Sequence, residues 1–274
     1  MDVELYLNKD VNQNAEVYFS KAKKLKNKVP GLDLAVLKTE EIINNFEEKK
    51  DFYIKKKIRE EKLEINKKKE WYEKFRFTFS TSGFLCVLGK DSGTNEILIK
   101  KHMEENDIVI HTQAAGSPFC LIKDGRDKIS NEEIFQTAQL VCCFSKQWKG
   151  GFGNADAFWV YPEQVSKQAQ SGEYIQKGSF MIRGEKNILK NIPLLMALGV
   201  EKKKVDVNDE VLEYEELFSG SVESVKKKCG QRFIKIEPGN QTYKSLNKEI
   251  KKRLKTHIED LPKYIPNYCK ILKK

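Results

Sequence analysis

Apolar positions follow three different rhythms along the chain. Val11, Ala15, Tyr18, Phe19, Ala22 and Leu25 recur every three or four residues with charges between them, which predicts one apolar helix face. Pro30-Gly31 is expected to end that helix, and Asp33 to cap a second one running to about Trp71. At 1.5 Å per residue the second helix would be roughly 55 Å long. Its apolar residues (Leu34, Leu37, Ile42, Phe46, Tyr53, Ile54, Ile58, Ile65) then outrun any cover the first can give. The pattern predicts an antiparallel coiled-coil arm over residues 1–70, with Phe46, Tyr53 and Ile58 as partner-binding anchors; a solvated stalk is the plainer alternative.

From Trp71 the rhythm shortens. Phe75–Ser80 and Phe84–Leu88, split by Thr81-Ser82-Gly83, predict a hairpin. Thr94 is expected to cap a helix reaching Lys101, and Ser130 with Glu133 to open another reaching Phe144. Ile108–Thr112, Phe119–Ile122, Ala157–Tyr161 and Phe180–Ile182 read as strands. Residues 71–204 are therefore expected to form an α+β domain, a mainly antiparallel sheet with packed helices. Residues 205–274 read as a small basic α/β segment: a helix near Ser224–Lys228, a strand from Arg232 to Ile236 stopped by Pro238-Gly239, and a helix from Tyr243 to Ile258. Leu246, Ile250, Leu254 and Ile258 form the apolar stripe of that last helix, and lysines cover its other face.

Charge sharpens the picture only at the end of the chain. The 274 residues carry a net charge of +10; residues 1–70 balance at +3, 71–220 at −3, and 221–274 at +10. A basic tail suits an anionic partner or simple solvation. No apolar run is long enough for a membrane span and no secretory leader is seen, so a cytoplasmic chain without a membrane partner is expected. The six cysteines, lacking a C-x-x-C pair, read as buried free thiols. Three histidines without metal spacing and a Gly150-Gly151-Phe152-Gly153 cluster without a Walker lysine give no support to an enzyme, a metal or a cofactor.

The mixture from Ser145 to Asn187 interleaves aromatics with lysine and arginine, which suits unpaired bases and phosphates. Within and around it the runs Trp71-Tyr72-Glu73-Lys74-Phe75-Arg76, Gly89-Lys90-Asp91 with Thr94-Asn95-Glu96, Asp156-x-x-Trp159-Val160-x-Pro162-x-Gln164-Val165-Ser166-Lys167, and Gly178-Ser179-Phe180-Met181-Ile182-Arg183-Gly184 stand out. Together they closely resemble the NFACT-R domain of the NFACT family. Val3-Glu4-Leu5 through Asn14-Ala15 and Tyr18 is similar to the start of the family's coiled coil. The family includes ribosome quality control factors of eukaryotes and archaea and bacterial fibronectin-binding-protein-A-like factors.

The resemblance implies a non-catalytic RNA-binding component of a ribosome-associated quality control factor, with tRNA or rRNA and the large ribosomal subunit as partners. The family's N-terminal domain, to which tailing of the nascent chain is largely assigned, is not seen in this sequence, so tailing is not expected of it. The uncovered helix stripe leads to the expectation of a complex with a separate chain carrying that domain or, failing that, of self-association through the arm. The RNA contacts expected are Lys90, His111, Trp148, Lys149, Gln164, Ser166, Lys167, Lys177, Arg183 and Lys186, joined by Lys248, Lys251, Lys252, Arg253 and Lys255 on the last helix. Lys167, Arg183 and Lys186 are expected on phosphate, and Trp148 on a base. Gln113 and Ala115 leave His111 without a neighbouring acid or second imidazole, so no acid–base pair is expected there. An interaction or adhesion scaffold, and an enzyme acting on nucleic acid or an aminoacyl group, are the competing classes.

Overall fold

A computed structural model describes residues 3–48, 50, 54, 57–58, 70–167, 176–207, 210–256, 258 and 260–272. Two compact units divide the chain, residues 1–67 and 68–274.

In the first unit a single helix, α1, runs from Val11 to Glu48. The break expected at Pro30-Gly31 does not occur: Pro30 lies inside the helix, and Asp33 caps nothing. Proline lacks the N–H for one helical bond, but its fixed φ is a helical one, so a long helix can absorb it at a cost of about 3 kcal/mol. An antiparallel pair turning at residue 31 is therefore ruled out. The segment before α1 folds back on it through Asn14, which is 6% exposed. The Asn14 side chain accepts from the Tyr6 amide at 2.8 Å and donates to the carbonyls of Tyr6, Lys9 and Asp10 at 3.0–3.1 Å. Tyr18 adds a hydroxyl bond to the Glu4 carbonyl. Phe19, Leu25, Leu32, Leu37 and Ile42 are exposed along α1, as is Ile58 beyond it. The side chains of Phe46 and Tyr53 lie outside the described residues.

The second unit is built on a six-stranded antiparallel sheet of β1 (Arg76–Phe79), β2 (Leu85–Leu88), β3 (Ile108–Thr112), β4 (Cys120–Ile122), β5 (Asn154–Val160) and β8 (Asn187–Pro193). Across the sheet their order is β1-β2-β4-β3-β5-β8. Two short strands between β5 and β8 in the chain, β6 (Val165–Ser166) and β7 (Met181–Ile182), form a separate ribbon. The strands β2, β3 and β4 are largely buried on both faces, which is why they read as nearly unbroken apolar runs. Two helices cover it, α2 (Ser92–His102) and α3 (Asn131–Cys143), with the single turn α4 (Lys146–Lys149) after them. Cys86, Leu88, Ile108, Ile110, Cys120 and Ile122 face one core, shared with α3; Val87, Val109, Leu121 and Phe158 face another, shared with Leu98 and Ile99 of α2.

Ser130 caps α3 as expected, its Oγ accepting from the Glu133 amide at 3.3 Å. The α2 cap is Asp91 rather than Thr94: Asp91 Oδ1 accepts from the Thr94 amide at 2.8 Å, and Thr94 Oγ1 accepts from the Asp91 amide at 2.9 Å. Both residues of such a reciprocal box can cap, and the extended backbone of Asp91 decides which does.

A second sheet continues the first core. It comprises β9 (Met196–Val207), β10 (Glu210–Gly220), β11 (Phe233–Gln241) and β12 (Cys269–Ile271), in the order β10-β9-β11-β12, with helices α5 (Val222–Cys229) and α6 (Tyr243–Leu254) between its strands in the chain. The boundary expected between residues 204 and 205 falls inside β9. Leu246, Ile250, Leu254, Ile258 and Ile265 are buried in the same core as Ile110, so residues 205–274 complete the domain instead of following it. β11 passes through Pro238-Gly239 with a register shift against β12. Helix α6 stops at Lys255, which adopts a left-handed conformation, short of the expected end at Ile258. No helix among the described residues is long and apolar enough to cross a membrane.

All six cysteines are buried and unpaired. Burial pushes the thiols of Cys86, Cys142, Cys229 and Cys269 up to about 12 and those of Cys120 and Cys143 well above the usual value. Thiolate is the reactive form. The native protein should therefore leave Ellman's reagent unreacted at pH 7 while denaturant releases six thiols; rapid native labelling would contradict the packing.

Candidate nucleic-acid interface

One cleft of about 740 Å³ opens where the β1–β2 hairpin, the start of α2, the loop after β3 and the segments near residues 146 and 177 meet. Arg76, Lys90, Lys146, Lys177 and Lys186 line it, and Asp91 is the one carboxylate among the described residues of its wall. Asp91 is already engaged in capping α2: hydrogen bonds led by the Thr94 amide hold its carboxyl below the usual range. None of the five cations lies within ion-pair distance of a carboxylate among the described residues.

Arg76 shows the strain of that arrangement most plainly. Its guanidinium lies 4.5 Å from the Phe144 ring, Nη1 donates to the Gly89 carbonyl at 3.3 Å, and the buried Nε has no partner. Burial lowers its pKa, and Tyr243, Asp91 and Asp260 offset part of this. Arginine remains charged under all ordinary conditions. The Lys90 ammonium is lowered first by burial and then by the charges of Lys263 and Arg76. Like charges that are partly desolvated, as Arg76 and Lys90 are, are unfavourable until an anion enters; Lys146, Lys177 and Lys186 around them are exposed.

Lys90, His111, Lys177 and Lys186, all expected as RNA contacts, line the same cleft. Arg76 and Lys146 belong with them and were not anticipated as contacts, although Arg76 ends one of the recognised motifs. Lys263, whose charge reaches Lys90 from the last part of the chain, gave no local signal at all.

Trp148 corrects the expectation for a base-stacking residue. It is 2% exposed and its Nε1 donates to the Asn267 carbonyl at 3.1 Å, so its ring has no free face to offer. Lys149 and Arg183 lie outside the cleft wall. Gln164 works as a staple: Oε1 accepts from the Tyr161 amide at 3.0 Å, and Nε2 donates to the carbonyls of Arg183 and Glu185 at 3.0 and 2.7 Å. Ser166 pairs with Met181 in the short ribbon. Lys167 is internally engaged, with Nζ 2.9 Å from Glu96 Oε2. On α6, Lys248, Lys251 and Lys252 face solvent, and Lys255 is exposed just past its end. Arg253 is held by Glu249 at 2.7 Å and the Leu272 carbonyl at 3.1 Å.

His111 sits near the end of β3 with its ring 4.4 Å from that of Phe119. Its Nδ1 donates to the Thr112 carbonyl at 2.7 Å, since a carbonyl can only accept. Burial lowers its pKa, and Lys186 adds repulsion in the same direction, so the ring is neutral at pH 7. Among the described residues no group of three or more His, Cys, Asp or Glu is placed to hold a metal.

A folded-state pKa below the unfolded value of about 6.5 means that the stability His111 contributes is present above that pH and lost as the pH falls. Thermal melts should show the His111→Phe protein losing less stability than the wild type between pH 7 and 5.5. His111→Ala should destabilise the fold while leaving the salt dependence of RNA binding unchanged; a flatter salt dependence would make His111 a charged contact.

Residues 74–184 match the family described as NFACT protein RNA binding domain. The archaeal Rqc2 homolog aRqcH of Methanocaldococcus jannaschii is 36% identical over 231 residues, 83% of this chain and 32% of that protein. The human ribosome quality control complex subunit NEMF is 36% identical over 130 residues, 47% of this chain and 12% of its own length. The chain thus spans about a third or less of these relatives. A solved structure, the C-terminal of the fibronectin/fibrinogen-binding protein from Streptococcus suis, covers 68% of this chain and 78% of its own at 22% identity, with a TM-score of 0.38 too low to support comparison. The cap at Asp91, the buried Asn95, the Gln164 staple and every cleft cation except Lys186 fall within residues 74–184. The chain belongs to the NFACT family, through an NFACT-R domain at those residues.

Proposed function

We propose that this chain is an RNA-binding component of ribosome quality control, taking tRNA or large-subunit rRNA into the cation-lined cleft without catalysing a reaction on it. The observation that carries the reading is the set of five cationic side chains around one cavity, none paired with a carboxylate among the described residues. The names of the relatives supply the setting: the archaeal, mouse and human proteins are called Rqc2 homolog or ribosome quality control complex subunits. An open cleft of this volume admits a single strand or loop more readily than a duplex, and phosphates would supply the missing negative charge. Lys248, Lys251 and Lys252 on α6 offer a second, solvated row of cations for the same polyanion.

Binding should weaken steeply with salt, with a logarithmic slope of roughly −0.7 for each phosphate contact. Changing Lys90, Lys146 and Lys186 together to Glu should reduce that slope by about 2. Salt-insensitive binding, or wild-type affinity in the triple variant, would remove the cleft from the account.

The exposed apolar row on α1 favours a protein partner for the first unit. The occupant proposed is a chain carrying the family's N-terminal domain, ahead of a second copy of this one, with Phe46, Tyr53 and Ile58 extending the contact. Leu37→Asp with Ile42→Asp should abolish copurification of that partner while leaving the thermal midpoint nearly unchanged, because both residues are exposed. Retention of the partner by that double variant would place the interface elsewhere.

A further inference from the structure

The loop that carries Lys177 into the cleft is held by one ion-paired clamp. Glu96 of α2 accepts from the Gly178 amide at 2.8 Å and from Lys167 Nζ at 2.9 Å, with Lys100 Nζ 2.7 Å from its other oxygen. These three bonds draw the Glu96 carboxyl down to about 2. Lys167 Nζ then donates to the carbonyls of Gln176 and Ser179 at 3.2 and 3.1 Å, and lies 4.9 Å from the Phe180 ring. Gly178 has φ +80°, and a Cβ there would come within 2.5 Å of Ser92, so the loop rests directly on the start of α2. With three donor contacts and a ring already spent, Lys167 has little left for a phosphate.

We propose that Lys167 and Glu96 are positioning residues: they contact no RNA, and instead clamp residues 176–180 so that Lys177 forms one wall of the RNA cleft. This rests on the proposed RNA-binding reading and departs from it in a way that charge alone can decide. Glu96 is a negative group beside a polyanion site. If it acted only through its field, removing it would tighten RNA binding. If it holds the wall, removing it weakens binding.

The experiment uses the full chain and a fluorescent single-stranded RNA, with Glu96→Ala, Lys167→Met, Lys177→Met, Lys186→Met and their pairs. Glu96→Ala should lose about fivefold in affinity, the size of an ordinary coupling between contacting residues. Lys167→Met should add little to the loss caused by Lys177→Met, since both remove the same wall, but should multiply with Lys186→Met, which lies outside the clamp. Amide hydrogen exchange without RNA supplies the second readout: Glu96→Ala should speed exchange at Gly178–Phe180 and leave β2–β4 unchanged. Tighter binding by Glu96→Ala, or Lys167→Met and Lys177→Met losses that multiply, would overturn the clamp while leaving RNA binding intact. Unchanged exchange at Gly178–Phe180 would overturn it too. Faster exchange in Glu96→Ala, alongside a wild type that binds no RNA, would establish the clamp and defeat the RNA reading.

Discussion

Asn95 occupies the space that a side chain at residue 89 would need. Its Oδ1 accepts from the Phe119 amide at 3.1 Å, Gly89 donates its own amide to the Phe119 carbonyl at 3.0 Å, and a Cβ on Gly89 would overlap the Asn95 carboxamide. Three elements are joined at that point: the end of β2, the first turn of α2 and the start of β4. The buried carboxamide oxygen of Asn95 is satisfied there, which is the condition for placing the residue at 7% exposure. The junction also sets the position of its neighbours. Lys90 and Asp91 leave Gly89 in one direction, Phe119 and the His111 ring tilted against it lie in the other, and Glu96 emerges one residue later to bond the Gly178 amide. The cleft is the space left when these pieces are locked together.

Several cations elsewhere in the protein are ion-paired. Lys123, largely buried, is 2.7 Å from Asp107 and also bonds Glu104 and the His102 carbonyl. Arg126 meets Glu163 through both terminal nitrogens, and Lys203 meets Glu216 at 2.6 Å across the β9–β10 hairpin. Arg76, Lys90, Lys146, Lys177 and Lys186, none of them ion-paired with a carboxylate among the described residues, are instead gathered around one cavity. Exposed lysines spread over a surface would need no explanation. A half-buried guanidinium with an orphaned Nε, beside a Lys90 ammonium repelled by both Lys263 and Arg76, favours an anion.

Much of the fold could be read from the chain, for reasons visible in individual residues. Ile108–Ile110 and Cys120–Ile122 announce strands covered on both faces, and Ser130 with Glu133 marks a helix start whatever the tertiary context. Pro30 misled because a helix can carry proline when nothing forces it to turn. The β9–β10 hairpin was missed because Lys202-Lys203-Lys204 and Glu213 to Glu216 look like two charged linkers until their register sets Lys204 against Glu213. At the site, motif residues differ in kind: Asp91 and Asn95 fix the hairpin-to-helix geometry, as their place between the two elements suggests. Gln164 and Lys167 bond other parts of the fold, while Lys90 and Arg76 line the cleft. Periodicity cannot tell a stacking tryptophan from a core one, and Trp148 belongs to the core. Lys263 acts on the cleft only because the C-terminal segment completes the domain, a long-range fact with no local trace.

The central claim, that RNA lies in the cleft against its unpaired cations, is most directly met by mapping protein–RNA crosslinks. The intact chain, bound to RNA and photo-crosslinked, would be digested and its nucleotide-bearing peptides identified by mass spectrometry. The account predicts adducts on the segments containing Lys90, Lys146, Lys177 and Lys186, all suppressed together by raised salt. Adducts confined to α1 and the solvent face of α6, with the cleft segments unmodified, would contradict it.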